Sequence, residues 1–177
     1  MKHSILWSLL LASVAPVMTT TNSSAESEGT PLDLAQRRAI KQYQEGAFAT
    51  HEAAIKTATK EDLTLLVDWE KIALPGEAQL YNEEAYWDQI FFQPLIVALQ
   101  SVGSDDLGKE ALREKLEKIH ITYDEETAPL GNYINGVTFE GGTLTINFRP
   151  YSNAGGPEST DFKNRVQAIV ETLEKGL

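Results

Sequence analysis

Residues 137–148 read VTFEGGTLTINF. Apolar and polar residues alternate on both sides of Gly141-Gly142, the period of a strand whose side chains point to opposite faces. Two glycines between such runs specify a two-residue hairpin, because both central positions of the favoured turn need positive φ. Closing it at Glu140 and Thr143 sets Phe139 against Leu144, Thr138 against Thr145 and Val137 against Ile146. Apolar then meets apolar and polar meets polar, so one face of the ladder suits a core and the other suits water.

Upstream, the same period occurs twice more. Ile119, Ile121 and Tyr123 alternate with Lys118, His120 and Thr122, and Leu63, Leu65, Val67 and Trp69 alternate with Thr64, Leu66, Asp68 and Glu70. The chain therefore carries four predicted strands. Residues 86–102, YWDQIFFQPLIVALQSV, leave almost no polar face, as expected of a helix surrounded by other elements. Asp88, Gln89 and Gln93 break the apolar run, and about 20 consecutive apolar residues are needed to span a bilayer. Pro94 lacks a backbone donor and predicts a kink, with Gln93 pushed out of the helical region.

Gly103 closes that helix. Ser104-Asp105-Asp106 caps the next, whose buried stripe is expected to be Leu107, Ala111, Leu112 and Leu116. Toward the N-terminus, Thr30 is the expected cap of a helical segment with Pro31 at its first position and Asp33 in its first turn. It reaches about Ala58, unbroken or jointed near Gly46, and carries His51 as a solvated residue. Stretches 71–82, 124–136 and 149–158 are expected loops. A last helix from about Ser159 places Phe162, Val166, Ile169, Val170 and Leu173 on one stripe. These elements predict an α+β domain over residues 31–177, a four-stranded, mainly antiparallel sheet with helices packed on one face and the other face wet.

Met1 to Ala25 has the three parts of a cleavable signal peptide: Lys2, an apolar middle from Ile5 to Met18, and Ser23 and Ala25 before the cut. A disordered stub, residues 26–30, follows, and the mature protein is expected to be exported and soluble, in the periplasm or outside the cell, without membrane insertion. The chain has no cysteine, so neither a disulfide framework nor a lipid-modified cysteine is available to it. Its net charge of −11 becomes one unit more negative when Lys2 leaves with the leader. This argues against nucleic acid and anionic lipid, and suits a basic protein partner.

The wet face is expected to show Thr64, Asp68, Glu70, Lys118, His120, Thr122, Thr138, Glu140, Thr145, Asn147 and Arg149. Of these, Asp68, Glu70, His120, Asn147 and Arg149 are the candidate binding residues. The chain is thus expected to be a non-enzymatic binding, accessory or inhibitory protein, immunity-like in size and charge, acting on a protein partner. The alternative is a small envelope hydrolase in which Asp68, Glu70 and His120 do acid-base work, which needs such groups within reach of one another. Isolated His51 and His120 do not make a metal site, and the acidic runs lack calcium-loop spacing. No phosphate-binding, dinucleotide or nucleophile-elbow motif occurs, and no cofactor is implied. Association of two copies through a sheet edge stays open.

Overall fold

In the computed structural model, residues 31–73, 81, 85–150 and 155–177 are described. The leader, its cleavage point, the 26–30 stub and the expected cap at Thr30 lie outside them, as do most of loop 71–82 and part of loop 149–158.

The N-terminal helical segment is jointed at Gly46, giving α1 (Leu34–Glu45) and α2 (Ala47–Ala58). Its cap is Asp33, one position short of the first turn in which the pattern puts it. Asp33 Oδ1 accepts from Gln36 N–H at 2.8 Å and Gln36 Oε1 accepts from Asp33 N–H at 2.8 Å, a reciprocal capping box that satisfies two otherwise orphan donors.

Strand β1 (Thr64–Val67) is shorter than its alternation suggests, since the chain turns at Asp68 into the short helix α3 (Trp69–Ile72). Glu70 therefore stands on a helix, exposed, and shares no strand face with Asp68. Lys71 and Ile72 are helical rather than loop.

The core helix begins with Ala85–Trp87, passes through a π-helical turn at Asp88–Phe92, and continues as α4 (Gln93–Val102). Gln93 remains helical, at φ −65° and ψ −46°, contrary to the expected displacement. Its N–H reaches back five residues to the Asp88 carbonyl, and the wider turn lets the helix take in Pro94 without restarting.

Helix α5 (Asp106–Lys115) is capped by Asp105, whose side chain accepts from Gly108 N–H at 2.8 Å. Leu107, expected inside, is 77% exposed, while Leu112 and Leu116 are fully buried. The inward stripe runs instead through Gly108, Leu112 and Leu116. A Cβ on Gly108 would lie 1.8 Å from the Val102 carbonyl oxygen, so the absence of a side chain lets α5 fold tightly back on the end of α4.

Strand β2 (Lys118–Thr122), a 3₁₀ turn (Tyr133–Gly136) and strands β3 (Val137–Glu140) and β4 (Thr143–Asn147) follow, and α6 (Thr160–Gly176) completes the fold. The hairpin has the register expected from its pattern, with Gly141 at φ 52° and Gly142 at φ 76°.

The sheet is mixed rather than mainly antiparallel. Its order is β1-β2-β4-β3, with β1 and β4 both parallel to β2 and β3 antiparallel to β4. Helices α3 to α5 separate β1 from β2 and form the crossover that parallel pairing requires. β4 then enters between β2 and β3.

The registers align Leu65, Ile119, Leu144 and Phe139 in one row and Val67, Ile121, Ile146 and Val137 in another. On the two central strands Ile119, Ile121, Leu144 and Ile146 are fully buried, together with Trp87, Ile90, Phe91, Phe92, Leu95 and Leu99 of the core helix, while Leu65, Val67 and Phe139 on the outer strands are partly buried against them. Ala168, Ile169 and Leu173 bring α6 into the same core. No helix among the described residues is long and apolar enough to cross a membrane.

Candidate functional site

The other face of the sheet is polar and half-exposed across its middle strands. One row holds Leu66, His120, Thr145 and Thr138, and the next holds Thr64, Lys118, Thr143 and Glu140. Where β1 ends, Thr122 pairs with Asn147, and Asp68 N–H still donates to the Ile121 carbonyl at 2.9 Å.

Asp68 occupies the cap position of α3, yet its side chain makes no cap bond. The carboxylate turns sideways to β2, where Oδ2 accepts from Thr122 Oγ1 at 2.7 Å and from His120 Nε2 at 3.0 Å. Lys71 Nζ stands 3.3 Å from the same oxygen. Burial pushes the Asp68 carboxyl up, but the hydrogen bonds of Thr122, His120 and Lys71, with the charge of His120, outweigh it and hold the group below its ordinary value. A carboxylate only accepts, so His120 Nε2 carries the proton. About a quarter of each side chain of this pair is exposed.

The lowered carboxyl ties stability to acid. Its folded value lies below its unfolded value, so its contribution is present above about pH 4 and disappears as pH falls through the folded value. The stability gap between wild type and Asp68→Asn, measured by urea unfolding, is expected to be open at pH 7 and to close in strong acid. A gap constant across that range would rule out the ionised network.

The five candidate residues divide into three groups. Asp68 and His120 are joined as described. Asn147 and Arg149 instead hold the 124–128 loop: Asn147 accepts from Asp124 N–H at 2.9 Å and donates to Thr127 Oγ1 at 3.0 Å, while Arg149 donates to the Glu125 carbonyl at 3.2 Å. Asn147 still borders the first group through its pairing with Thr122. Glu70 belongs to neither. Thr122 and Lys71 join the site although neither is among the five candidates, and the signal for Lys71 is its place three residues after Asp68.

Two further clusters lie in the helical layer. Tyr43 Oη and His51 Nε2 both donate to Asp88 Oδ1, the second at 2.8 Å, and the His51 ring stacks on Phe92. His51 is thus packed and bonded, not a solvated helix residue. Asp88 itself is the clue, a carboxylate within an apolar run, where acids are buried only when paired. Arg165 is fully buried in α6, its guanidinium over the Tyr133 ring at 4.6 Å and Nη2 donating to Tyr133 Oη at 3.1 Å. Tyr133 donates in turn to Asp161 at 2.6 Å. Burial pushes the guanidinium down, opposed by Tyr133 and Asp161.

A groove of about 400 Å³ runs between α4 and α6, lined mainly by Val97, Phe162, Val166 and Val170. Among the described residues, no three His, Asp or Glu side chains converge as a metal-ligand set. Compared with family models, with curated proteins and with solved structures, the chain has no match.

Proposed function

We propose that the protein is an exported binding protein, of accessory or inhibitory type, that engages a basic protein partner at the Asp68–His120–Thr122 end of the open sheet face. The observation that carries this reading is how the two carboxylate oxygens of Asp68 are used. Oδ2 takes every internal donor, and Oδ1 takes none among the described residues. The group is kept charged with one acceptor to spare, which suits a charge-assisted bond from an arriving Arg or Lys. The net charge of −11 adds attraction at longer range.

Export rests on the leader at residues 1–25. Protein expressed from its full coding sequence and recovered from the envelope fraction is expected to begin at Glu26.

The geometry weighs against nucleophilic catalysis by Thr122, because its hydroxyl donates to Asp68, a carboxylate held below its ordinary value and so a weak base, rather than to His120. The hydrolase reading keeps one supporting observation, the 3.0 Å bond that orients His120. It predicts hydrolysis of a simple ester such as p-nitrophenyl acetate that His120→Ala abolishes.

The test of binding is capture from the native envelope with the protein tagged at its C-terminus, beside Asp68→Ala and His120→Ala variants. A stoichiometric partner held by the wild type and lost with Asp68→Ala is the expected result. Undiminished capture by that variant would remove the site from this face.

A further inference from the structure

Strand β1 is one edge of the sheet: β2 pairs on one side, and among the described residues no strand pairs on the other. Thr64 and Asp68 N–H donate to the carbonyls of Glu117 and Ile121. By the alternation of a parallel ladder, the N–H groups of Leu65 and Val67 point away from the sheet. Edges of this kind are usually blunted by lysine, proline, a bulge or an inward charge, and Thr64-Leu65-Leu66-Val67 has none of these.

Two more observations mark this edge. Leu66 is 41% exposed at the end of a row that otherwise holds His120, Thr145 and Thr138. It is an apolar side chain with a neighbour on one side alone. The strand also lies between acids, with Glu61 and Asp62 exposed before it and Asp68 and Glu70 after it, against Lys60 and Lys71.

We infer that β1 is a docking edge for an extended, basic peptide segment of the partner, which adds as a fifth strand. The inference rests on the binding function proposed above and states the form in which the partner presents itself. Main-chain bonds form to Leu65 and Val67, an apolar residue packs beside Leu66, and a Lys or Arg at one end reaches Asp68 Oδ1. Asp62 and Asp68 are six residues apart, roughly 20 Å along a strand, so a segment of about seven residues spans both acidic ends. A second copy of this chain suits the edge poorly, because it would bring two sets of acids together.

The probe is the peptide Lys-Thr-Val-Thr-Val-Thr-Lys, titrated into ¹⁵N-labelled full-length protein. Saturable shifts centred on the Leu65 and Val67 amides are expected. Val67→Pro removes an outward donor while leaving the bonds to β2, a replacement that edge strands tolerate. It should weaken binding by about tenfold, and replacing both peptide lysines by glutamate should do at least the same. N-methylation of one alternating set of peptide amides should abolish binding and methylation of the other set should not, a signature that needs no protein variant.

Absence of binding, indifference to both methylation sets, or equal binding of the glutamate peptide would overturn the inference. So would a concentration-dependent dimer of the protein abolished by Val67→Pro. If Asp68→Ala abolishes partner capture from the envelope while Val67→Pro leaves it intact, the sheet face remains the site and the edge does not. If both variants capture normally, both proposals fall.

Discussion

Gly108→Ala is expected to cost about 3 kcal/mol of stability, at the upper end of what overpacking costs. Helix propensity alone predicts the opposite sign, since alanine is about 1 kcal/mol better than glycine inside a helix. The new methyl, however, would lie 1.8 Å from the Val102 carbonyl oxygen and 2.9 Å from its carbon, both backbone atoms that no rotamer change can move. Any shift that relieves the overlap also pulls Gly108 N–H from the Asp105 side chain that caps the helix at 2.8 Å. For a domain of this size the melting temperature should drop by about 10 °C. Gly131→Ala, where nothing lies within 4 Å of the place a methyl would take, is the control and should change stability little. Equal melting of the two variants would show that α4 and α5 do not meet this closely.

Asp88→Ala should be comparably costly, for a different reason. Asp88 is 8% exposed, and the Tyr43 hydroxyl and His51 imidazole donate to the same oxygen. Removing it takes a shared acceptor from two donors at once in a site walled by Phe92 and Trp87, and each loss of this kind costs about 1–3 kcal/mol. A total of about 3 kcal/mol is expected from urea unfolding at pH 7. Tyr43→Phe removes one donor and leaves the acceptor occupied by His51, so about 1 kcal/mol is expected there. Asp88→Asn retains a carbonyl acceptor and should fall between the two. The Asp88→Ala/Tyr43→Phe double variant should lose less than the sum of the singles, because both act on one network. If Asp88→Ala costs no more than Tyr43→Phe, the carboxylate is not the centre of that cluster.

What the sequence discloses, and what it withholds, follows from where the information sits. The hairpin is legible down to its pairing because strand, turn and strand are contiguous and two glycines state the backbone they need. Strand order is not, because nothing local to residues 143–147 tells them to lie beside residues 118–122. The polar face is legible for Asp68, His120 and Thr122, since a period of two fixes faces wherever a strand persists. It fails at Glu70, where the alternation continues past the backbone turn at Asp68 and a short helix takes over. Leu107 and Gly108 show a related limit: hydropathy selects the leucine for the interior, whereas the close approach of two backbones admits only the glycine. The union of Asp68 with His120, and of Asp88 with His51 and Tyr43, depends on residues 37 to 52 positions apart and is a product of packing.

The strand order also governs when the domain can close. β2 has β1 on one side as soon as residues up to 122 are present, but its other neighbour is β4, which comes after β3 in the chain. A chain emerging N-terminus first, from a ribosome or through a translocation pore, thus carries an unfilled slot in the middle of its sheet until residues 143–147 arrive. The α6 residues that seal the core arrive later still. The final arrangement of the sheet therefore needs nearly the whole domain, because β2 gains its second neighbour only with residues 143–147.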